Sequence, residues 1–322
     1  MTRKVMVTGG TGFVGGGVLK RLIHESGCTV VAAIRSPYVA LPAGVSMFSM
    51  AGLAADTDWF QALDGVDVVV HCAARVHVMH ENAGEPLLMY RQVNVEGTLA
   101  LARQAAAAGV RRFVFLSSIK VNGESTVPSR PFTPDDAPAP TDPYGVSKME
   151  AEDRLCALAD ATGMEVVIIR PVLVYGPGVK ANFLSMMRWL NKGVPLPLGA
   201  IRNKRSLVAL DNLVDLIVTC IDHPAAANHT FLVSDGEDLS TSGLLRRMGA
   251  ALGKPARLLP VPPWLINGAA TLLGKQAFAQ RLCGSLQVDI SKTCSLLGWS
   301  PPVSVDDALR KTAQHFLSEH RT

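Results

Sequence analysis

Tyr144 and Lys148 have the residue types and the spacing needed to move a proton. Residues four apart lie on one face of an α-helix, which would bring the phenol beside the ammonium group. A phenol with an ordinary pKa of about 10 is a poor acid–base group near neutral pH unless a cation stabilises its phenolate. Ser118 could donate a hydrogen bond to a carbonyl oxygen. The three residues together predict proton transfer at a carbonyl group. For Tyr144 and Lys148 without Ser118, the alternative is that both simply lie on a solvated helix face.

Residues 4–15, KVMVTGGTGFVG, predict the site of a second reactant, a dinucleotide. An apolar strand pattern precedes the glycines, and an amphipathic helical pattern follows them. The glycines allow a tight turn and a close approach of backbone to pyrophosphate, and the helix N-terminus adds free N–H groups. A glycine-rich turn that binds nothing is the alternative. The expected cofactor contacts in this turn are Gly9, Thr11, Gly12, Phe13, Val14 and Gly15.

Apolar segments that alternate with helical patterns indicate how these residues are brought together. After the first strand, four more segments read as buried strands, at 29–34, 66–74, 112–118 and 166–169. This alternation predicts an α/β fold, a doubly wound parallel (Rossmann) sheet. Right-handed crossovers then put the cofactor and the chemistry at the carboxyl ends of the strands.

Residues at the ends of these strands are expected to contact the cofactor. Arg35 follows the second strand, where an acidic side chain would bond the adenosine ribose and an arginine would accept a 2′-phosphate. NADP(H) is therefore the expected cofactor, with NAD(H) possible. Ala73 and Ala74 end the third strand with small side chains that let the cofactor pass closely. Asn94, Tyr144, Lys148 and Pro171 complete the expected contacts.

The composition is that of a folded globular protein with a small-molecule ligand. Of 322 residues 48% are hydrophobic and 18% are charged, and the Lys and Arg residues behind the net charge of +4 are scattered. The scatter argues against a nucleic-acid partner. No apolar run approaches the ~20 residues of a membrane span, no membrane partner is expected, and Trp264–Gly274 is expected to form a buried helix. Six cysteines without a CxxC pair, and no recognisable signal peptide, predict a cytoplasmic protein with reduced thiols.

No metal centre is expected from the histidines. His77 and His80 are three residues apart but have no third candidate ligand nearby. His71 follows three valines and is expected to be a core histidine bonded to backbone.

The sequence pattern changes after residue 170, where Gly and Pro residues separate shorter predicted helices and strands. Residues 1–170 are expected to form the dinucleotide-binding domain, to which residues of about 205–235 return. Residues 171–322 are expected to form mainly a smaller C-terminal substrate-binding lobe.

The chain resembles the extended short-chain dehydrogenase/reductases, the family of nucleotide-sugar epimerases, dehydratases and reductases. The similar motifs extend over nearly the whole length and are VTGGTGFVG, VDVVVHCAA, VNVEGT, FLSSIKVNG, PYGVSK, RPVLVYGPG and RSLVALDNLVD. The resemblance implies that Ser118, Tyr144 and Lys148 are catalytic. It also implies that arginines grip the nucleotide diphosphate. The implied contacts to a UDP-sugar substrate are Ser118, Lys120, Asn182, Phe183, Arg205 and Arg281.

Departures from the family pattern favour one reaction. Ile119-Lys120 stand where the 4,6-dehydratases have an Asp-Glu pair, which disfavours dehydration. Val121-Asn122-Gly123 differs from the VYG of the epimerases, and Arg35 replaces their usual acid. The resemblance is then greatest to the bacterial 4-reductases of UDP-4-keto-6-deoxy-N-acetylhexosamine.

That resemblance implies NAD(P)H-dependent reduction of a C4 keto group in O-antigen and lipopolysaccharide biosynthesis. The alternative is a UDP-hexose 4-epimerase, and the second alternative is a non-catalytic NADP-binding sensor or scaffold on the same fold. A homodimer through two helices is possible in either case.

Overall fold

The computed structural model of the protein describes residues 3–36, 38–76, 86–127, 129–274 and 276–320. The expectation for His77 and His80 lies outside these described residues. The strands of the described part are β1 (Arg3–Thr8), β2 (Cys28–Ile34), β3 (Val45–Ser49), β4 (Val68–His71), β5 (Arg112–Leu116), β6 (Glu165–Pro171), β7 (Leu173–Tyr175), β8 (Arg205–Ala209), β9 (His229–Val233) and β10 (Asp238–Leu239).

Most of the helices flank the strands. They are α1 (Phe13–Leu22), α2 (Phe60–Leu63), α3 (Pro86–Tyr90), α4 (Thr98–Ala107), α5 (Pro143–Thr162), α6 (Ala181–Asn191), α7 (Leu210–Asp222), α8 (Thr241–Ala251), α9 (Pro263–Leu272), α10 (Gln276–Cys283), α11 (Ser291–Leu297) and α12 (Val305–Glu319). A π-helical stretch at Arg91–Gly97 joins α3 to α4, and short 3₁₀ turns lie at Ile119–Val121 and Pro224–Ala226. None of the described helices combines the length and apolarity that a bilayer crossing requires.

Seven parallel strands form the larger sheet, in the order β3-β2-β1-β4-β5-β6-β9. Helices cover both faces, because successive side chains of a strand point to opposite sides. Val5 and Val7 join the core under α1 and α7, whereas Met6 joins the core under α4 and α5. The fold is therefore the predicted doubly wound parallel sheet, and the sequence-based fold class is confirmed.

Helix α5 has the start and stop signals that fix the position of Tyr144. The Asp142 side chain caps the helix by accepting a hydrogen bond from Gly145 N at 2.7 Å, and Pro143 occupies the first turn. Gly163 ends the helix in the left-handed region at φ 76°. Tyr144 consequently lies in the first turn of α5, and Lys148 lies one turn further along.

The remaining strands form a small sheet in the order β10-β8-β7, covered by α6, α8 and α12. Within residues 205–235, β8 belongs to this small sheet, whereas β9 pairs with β6 in the larger sheet. Helix α7, between them, packs against α1. The division at residue 170 into a cofactor domain and a substrate lobe stays a prediction.

Three local features differ from the sequence-based expectation. Strand β3 was not expected; it lies at the edge of the larger sheet, and none of its five residues is buried. The helix expected over 90–109 is interrupted by the π-helical stretch, a feature that frequently occurs at functional sites. The helix expected to be buried at Trp264–Gly274 is α9, and none of its residues is buried.

Candidate active site

The strand order reverses between β1 and β4, and the carboxyl ends of these two strands open the crevice where such folds bind their ligands. The glycine-rich turn follows β1, and the Ala73-Ala74 segment follows β4. Ser118 follows β5, and Pro171 ends β6 as a buried residue. The sheet therefore brings the predicted cofactor and catalytic residues to one edge.

The glycine-rich turn has the shape that a dinucleotide needs. Gly9 has φ 70°, and a Cβ atom there would lie 2.8 Å from Ala73 N, so no larger residue fits. A Cβ atom at Gly15 would lie 2.3 Å from the Gly9 carbonyl oxygen. Gly12 precedes α1 without a side-chain cap, which leaves the first N–H groups of the helix for an anion. The residues present thus fit the pyrophosphate of a bound cofactor.

Asn94 fixes the segment that follows β4. Its side-chain oxygen accepts a hydrogen bond from Arg75 N at 2.8 Å, and its amide donates to Arg75 O at 3.0 Å and to Ser147 Oγ at 3.0 Å. Asn94 is buried in the π-helical stretch, as its expected inward orientation requires. It positions the backbone beside Ala73 and Ala74 against α5, and its predicted contact with the cofactor stays a prediction.

Ser118 and Tyr144 are hydrogen-bonded to each other across the gap between β5 and α5. Burial is the largest cause that raises the pKa of Tyr144 above its usual value; the charge of Asp142 raises it further, and the bond with Ser118 opposes both. The Tyr144 ring also packs edge-on against Tyr90, with centroids 6.1 Å apart. In this environment Tyr144 is a protonated acid, and a positive charge must be added before it can act as a base.

Lys148 is the next predicted catalytic residue, one turn after Tyr144 on α5. Its Nζ donates to Leu116 O at 2.8 Å and lies 4.3 Å from the centre of the Phe115 ring. Burial lowers the pKa of Lys148 to about 8, while the carboxylate of Glu152 opposes the shift. The side chain is 2% exposed. A lowered pKa is typical of a functional site when the lysine is buried and its amine lies at the end of a strand, as that of Lys148 does at Leu116.

His71 is a core histidine, although its partners are not the expected backbone groups. Its two ring nitrogens bond Thr8 Oγ1 at 2.8 Å and Thr98 Oγ1 at 3.0 Å. Burial, followed by the charge of Lys148, lowers the pKa of His71 to about 3. The neutral ring therefore ties the ends of β1 and β4 to α4. It transfers no proton in this arrangement.

A buried ion pair, which the sequence reasoning missed, lies beside the predicted catalytic residues. The guanidinium of Arg170 donates to both oxygens of Glu152, at 2.5 to 3.1 Å, and to Asn122 Oδ1 at 3.0 Å. Ser117 also donates a short hydrogen bond to Glu152. The network joins β5, β6 and α5 at the residues next to Ser118 and one turn from Lys148. Its two charged residues are 18 positions apart on different elements, so no short sequence pattern marked the pair.

Lys120 belongs to an ion-pair cluster. Its Nζ donates to Glu124 Oε1 at 3.0 Å and to the carboxylate of Asp142. Asp142 is also the cap of α5, so Lys120 holds the beginning of the helix that carries Tyr144. Its predicted contact with the substrate stays a prediction.

Four of the predicted substrate residues line one cavity of about 420 Å³ between α6, β8, α8 and the segment 266–282; they are Asn182, Phe183, Arg205 and Arg281. The Arg205 guanidinium donates to Arg281 O and Gly284 O, both at 3.1 Å. Burial, followed by the charge of Arg281, lowers the pKa of Arg205. Two guanidinium groups beside an apolar wall form a site that an anionic ligand would neutralise.

Arg35 is exposed at the end of β2. Its position is the one expected from the sequence, yet the backbone around it is open to solvent. Its predicted contact with a 2′-phosphate stays a prediction.

Residues 5–234 match the sequence model of the NAD dependent epimerase/dehydratase family. A UDP-glucose 4-epimerase of Vibrio cholerae is 53% identical over 318 residues, which cover 98% of this chain and 96% of the relative. The N-acetyl-alpha-D-glucosaminyl-diphospho-ditrans,octacis-undecaprenol 4-epimerase of Escherichia coli O157:H7 is 28% identical, with 79% of each chain covered.

Solved structures show the same fold. A UDP-N-acetylglucosamine 4-epimerase from Methanobrevibacter ruminantium M1, in complex with UDP-N-acetylmuramic acid, has a TM-score of 0.79 at 21% identity over 98% of this chain and 99% of that one. A UDP-glucuronic acid 4-epimerase from Bacillus cereus, in complex with NAD, has a TM-score of 0.77 at 21% identity over 99% and 100%.

The sequence-based prediction of a C4-keto reductase is wrong, because the relative that is 53% identical over 98% of the chain is a UDP-glucose 4-epimerase. The alternative, a 4-epimerase, agrees better with this finding. Oxidation and reduction at C4 use the same serine, tyrosine and lysine, so these residues could not separate the two reactions. The features that favoured a reductase do not touch that set: Arg35 is exposed, and Asn122 bonds Arg170. The inferred preference for NADP(H) has no support from the relatives either.

Proposed function

Because the chain belongs to the NAD-dependent epimerase/dehydratase family, we propose that it interconverts the C4 epimers of a UDP-linked hexose. The observation that carries this proposal is the 53% identity, over nearly the full length, to a UDP-glucose 4-epimerase. The bonded Ser118 and Tyr144 at the carboxyl edge of the sheet agree with it. A bound nicotinamide would supply the acceptor and donor of the C4 hydride, and the configuration inverts only if the hydride returns to the opposite face of C4.

Tyr144 is the proton carrier of this proposal. It takes the proton of the C4 hydroxyl as the carbonyl forms and returns it as the alcohol is restored, so no proton is gained or lost overall. Ser118 donates a hydrogen bond to the same oxygen and holds it in place. Burial keeps Tyr144 protonated in this arrangement. Under this proposal the ammonium group of Lys148, one turn further along α5, stabilises the phenolate when it forms. Tyr144, Ser118 and Lys148 therefore act as one unit.

The cavity with the two arginines is the proposed site of the UDP group. Arg205 and Arg281 offer planar donors that match the oxygens of a diphosphate, and Phe183 and Leu207 supply an apolar wall. Asn182 adds an amide at the rim. Under this proposal residues 171–322 form mainly a substrate lobe, whose strand β8 carries Arg205.

NAD is the proposed cofactor, held by the turn from Gly9 to Gly15, by the small Ala73-Ala74 segment, and by Tyr144 and Lys148. Arg35 is exposed, and exposed charge pairs contribute about 0–1 kcal/mol. We therefore expect Arg35→Ala to change the NAD dissociation constant by no more than about fivefold. Fluorescence titration with NADH and NADPH measures this, and a wild-type protein that binds only NADPH would exclude the proposed cofactor.

Proton NMR of a panel of UDP-sugars tests the proposed activity. UDP-glucose and UDP-N-acetylglucosamine are each incubated with the protein and catalytic NAD, and the anomeric signals of the C4 epimers are followed. Appearance of the epimer in an equilibrium mixture supports the proposal. Unchanged signals for both sugars, with a protein that binds NAD, would contradict it.

A further inference from the structure

Helix α9 and the segment before it present large apolar side chains to solvent. Residues 258–274 contain no charged side chain, and no residue of α9 is buried. A surface helix of a globular domain normally has a polar face. The side chains that form what we call the apolar ridge are Leu259, Trp264, Leu265, Leu272 and Leu273, with exposed fractions of 51%, 70%, 45%, 90% and 71%.

The apolar ridge is not the wall of the cavity described above. Ile266 and Ala270 are the residues of α9 that line this cavity, together with Arg281 of α10. The ridge side chains point elsewhere, because they are strongly exposed and do not border it. Even the hydroxyl of Thr271 is satisfied inside the helix, where it donates to Asn267 O at 2.9 Å. The helix therefore has one face for the cavity and another without a partner in the described chain.

Basic side chains border the apolar ridge. Residues 239–288 contain six Lys and Arg residues and no Asp or Glu. Of these, Arg247 is paired with Glu237 and Asp306, and Arg281 lines the cavity. Arg257 is exposed two positions before Leu259. The exposed Arg246 donates to Gly199 O at 3.4 Å, and Gly199 N donates to Leu259 O at 2.8 Å. An apolar surface with a cationic margin is thus built into this side of the lobe.

We propose that the apolar ridge docks on the surface of an anionic lipid bilayer. Apolar side chains of a surface helix enter the boundary between headgroups and acyl chains, and Trp is favoured at that depth. Arg246 and Arg257 then face the lipid phosphates, an attraction that extends over about one Debye length. A second copy of this chain docked on the same surface would instead bring the basic side chains of the two copies together, and they would repel each other. The proposal is independent of the proposed epimerase activity.

Vesicle flotation tests the docking. The full-length protein is mixed at low salt with vesicles of phosphatidylcholine and phosphatidylglycerol, or with vesicles of phosphatidylcholine alone. We expect the protein to float with the anionic vesicles, and to be released in part by added salt because the cations are exposed. Absence from the floating fraction of the anionic vesicles would overturn the proposal.

A charge-matched pair of variants locates the surface. Leu272→Glu/Leu273→Glu should lower the fraction bound to anionic vesicles at least about tenfold, because it places two anions in the ridge. Phe60→Glu/Leu296→Glu, at two other exposed apolar positions, adds the same charge and should bind as the wild type does. Far-UV circular dichroism and melting temperature confirm that both variants fold.

Two further results would contradict the proposal. The first is equal loss of binding in both variants, which would show that net charge alone governs it. The second is a wild-type dimer, in sedimentation velocity without lipid, that only Leu272→Glu/Leu273→Glu converts to a monomer. In that case a second copy of the chain covers the ridge. An unchanged sedimentation coefficient in that variant, together with its loss of vesicle binding, supports the lipid surface.

Discussion

The carboxyl edge of the larger sheet and the outer side of the small lobe differ in which side chains they bury and which they expose. At the edge, polar groups are buried and bonded to one another, as in the Glu152–Arg170 pair with Ser117 and Asn122. On the outer side of the lobe, Trp264 and Leu272 are exposed although they are apolar. The polar groups of the edge are held by bonds within the protein, whereas the apolar side chains on the outer side of the lobe have no such contacts in the described chain.

The comparison predicts that substitutions at the edge affect turnover or folding, with the largest effect at Tyr144. Tyr144→Phe removes the phenol that carries the proton and should lower kcat by roughly 10²–10⁴ while NAD binding is retained. Initial rates of epimerisation and a fluorescence titration measure the two quantities. Ser118→Ala is expected to be milder, because water can replace one neutral hydrogen bond. Turnover of Tyr144→Phe close to that of the wild type would show that another group carries the proton.

Folding should depend strongly on the buried pair. Glu152→Gln leaves the Arg170 charge buried without its anion, and we expect the free energy of unfolding to fall by about 3–5 kcal/mol. Glu150→Gln is the matched control on the same helix, since Glu150 pairs with the half-exposed Arg91 and such pairs contribute about 0–1 kcal/mol. Urea unfolding compares the two variants. Equal destabilisation would remove the distinction between the buried edge and the surface.

The burial of Lys148 should make the stability of the protein depend on pH. Its folded pKa of about 8 lies below the ordinary 10.5, so folding disfavours the charged form. The penalty is fully present below about pH 8, and it vanishes as the pH rises past the unfolded pKa of about 10.5, a difference of about 3 kcal/mol. The stability of Lys148→Met relative to the wild type should therefore be greatest at pH 7 and decline toward pH 10.

Thermal unfolding of both proteins across this pH range measures the difference. Lys292→Met, at an exposed ion pair with Asp135, serves as the control and should show no such trend. A difference between Lys148→Met and the wild type that does not change with pH would mean that Lys148 titrates like an exposed lysine.

Substitution in the cavity should weaken binding more than turnover. Arg205→Ala removes a charged donor remote from C4, so we expect KM for the UDP-sugar to rise roughly 10–100-fold with kcat changed much less, as for a hydrogen bond to a charged group. Arg202→Ala, an exposed arginine near the same strand, is the control and should leave KM within about twofold. A lower kcat with unchanged KM in Arg205→Ala would place this residue in the chemistry instead of in binding.

The sequence predicted the edge better than the lobe, for physical reasons. Glycine geometry, strand ends and helix spacing are local constraints, and they were sufficient to locate Gly9, Ser118, Tyr144 and Lys148. The Glu152–Arg170 pair joins residues 18 positions apart on different elements, so its existence depends on packing that no short pattern encodes. The net reduction of a C4 keto group was predicted wrongly, because a reductase and an epimerase require the same groups for hydride transfer.

The exposure of α9 could not be read from its sequence either. An apolar run of this length is compatible with a buried helix, and only the arrangement of the surrounding lobe leaves it facing solvent. Conversely, Arg205 and Arg281 lie 76 positions apart, and family resemblance, not spacing, led to their joint prediction. In the lobe, tertiary structure determines which side chains are exposed and which come together, and the sequence alone does not show either.

Epimerisation of UDP-glucose in D₂O, followed by proton NMR with simultaneous absorbance at 340 nm, tests the central claim most directly. We expect the C4 epimer to accumulate with protium at C4, because the hydrogen that leaves this carbon returns to it, and the absorbance to show no net oxidation of the cofactor. The same experiment with Tyr144→Phe should show product formation slowed by roughly 10²–10⁴. Deuterium at C4 of the product, or an epimer that forms at the same rate without Tyr144, would contradict the mechanism.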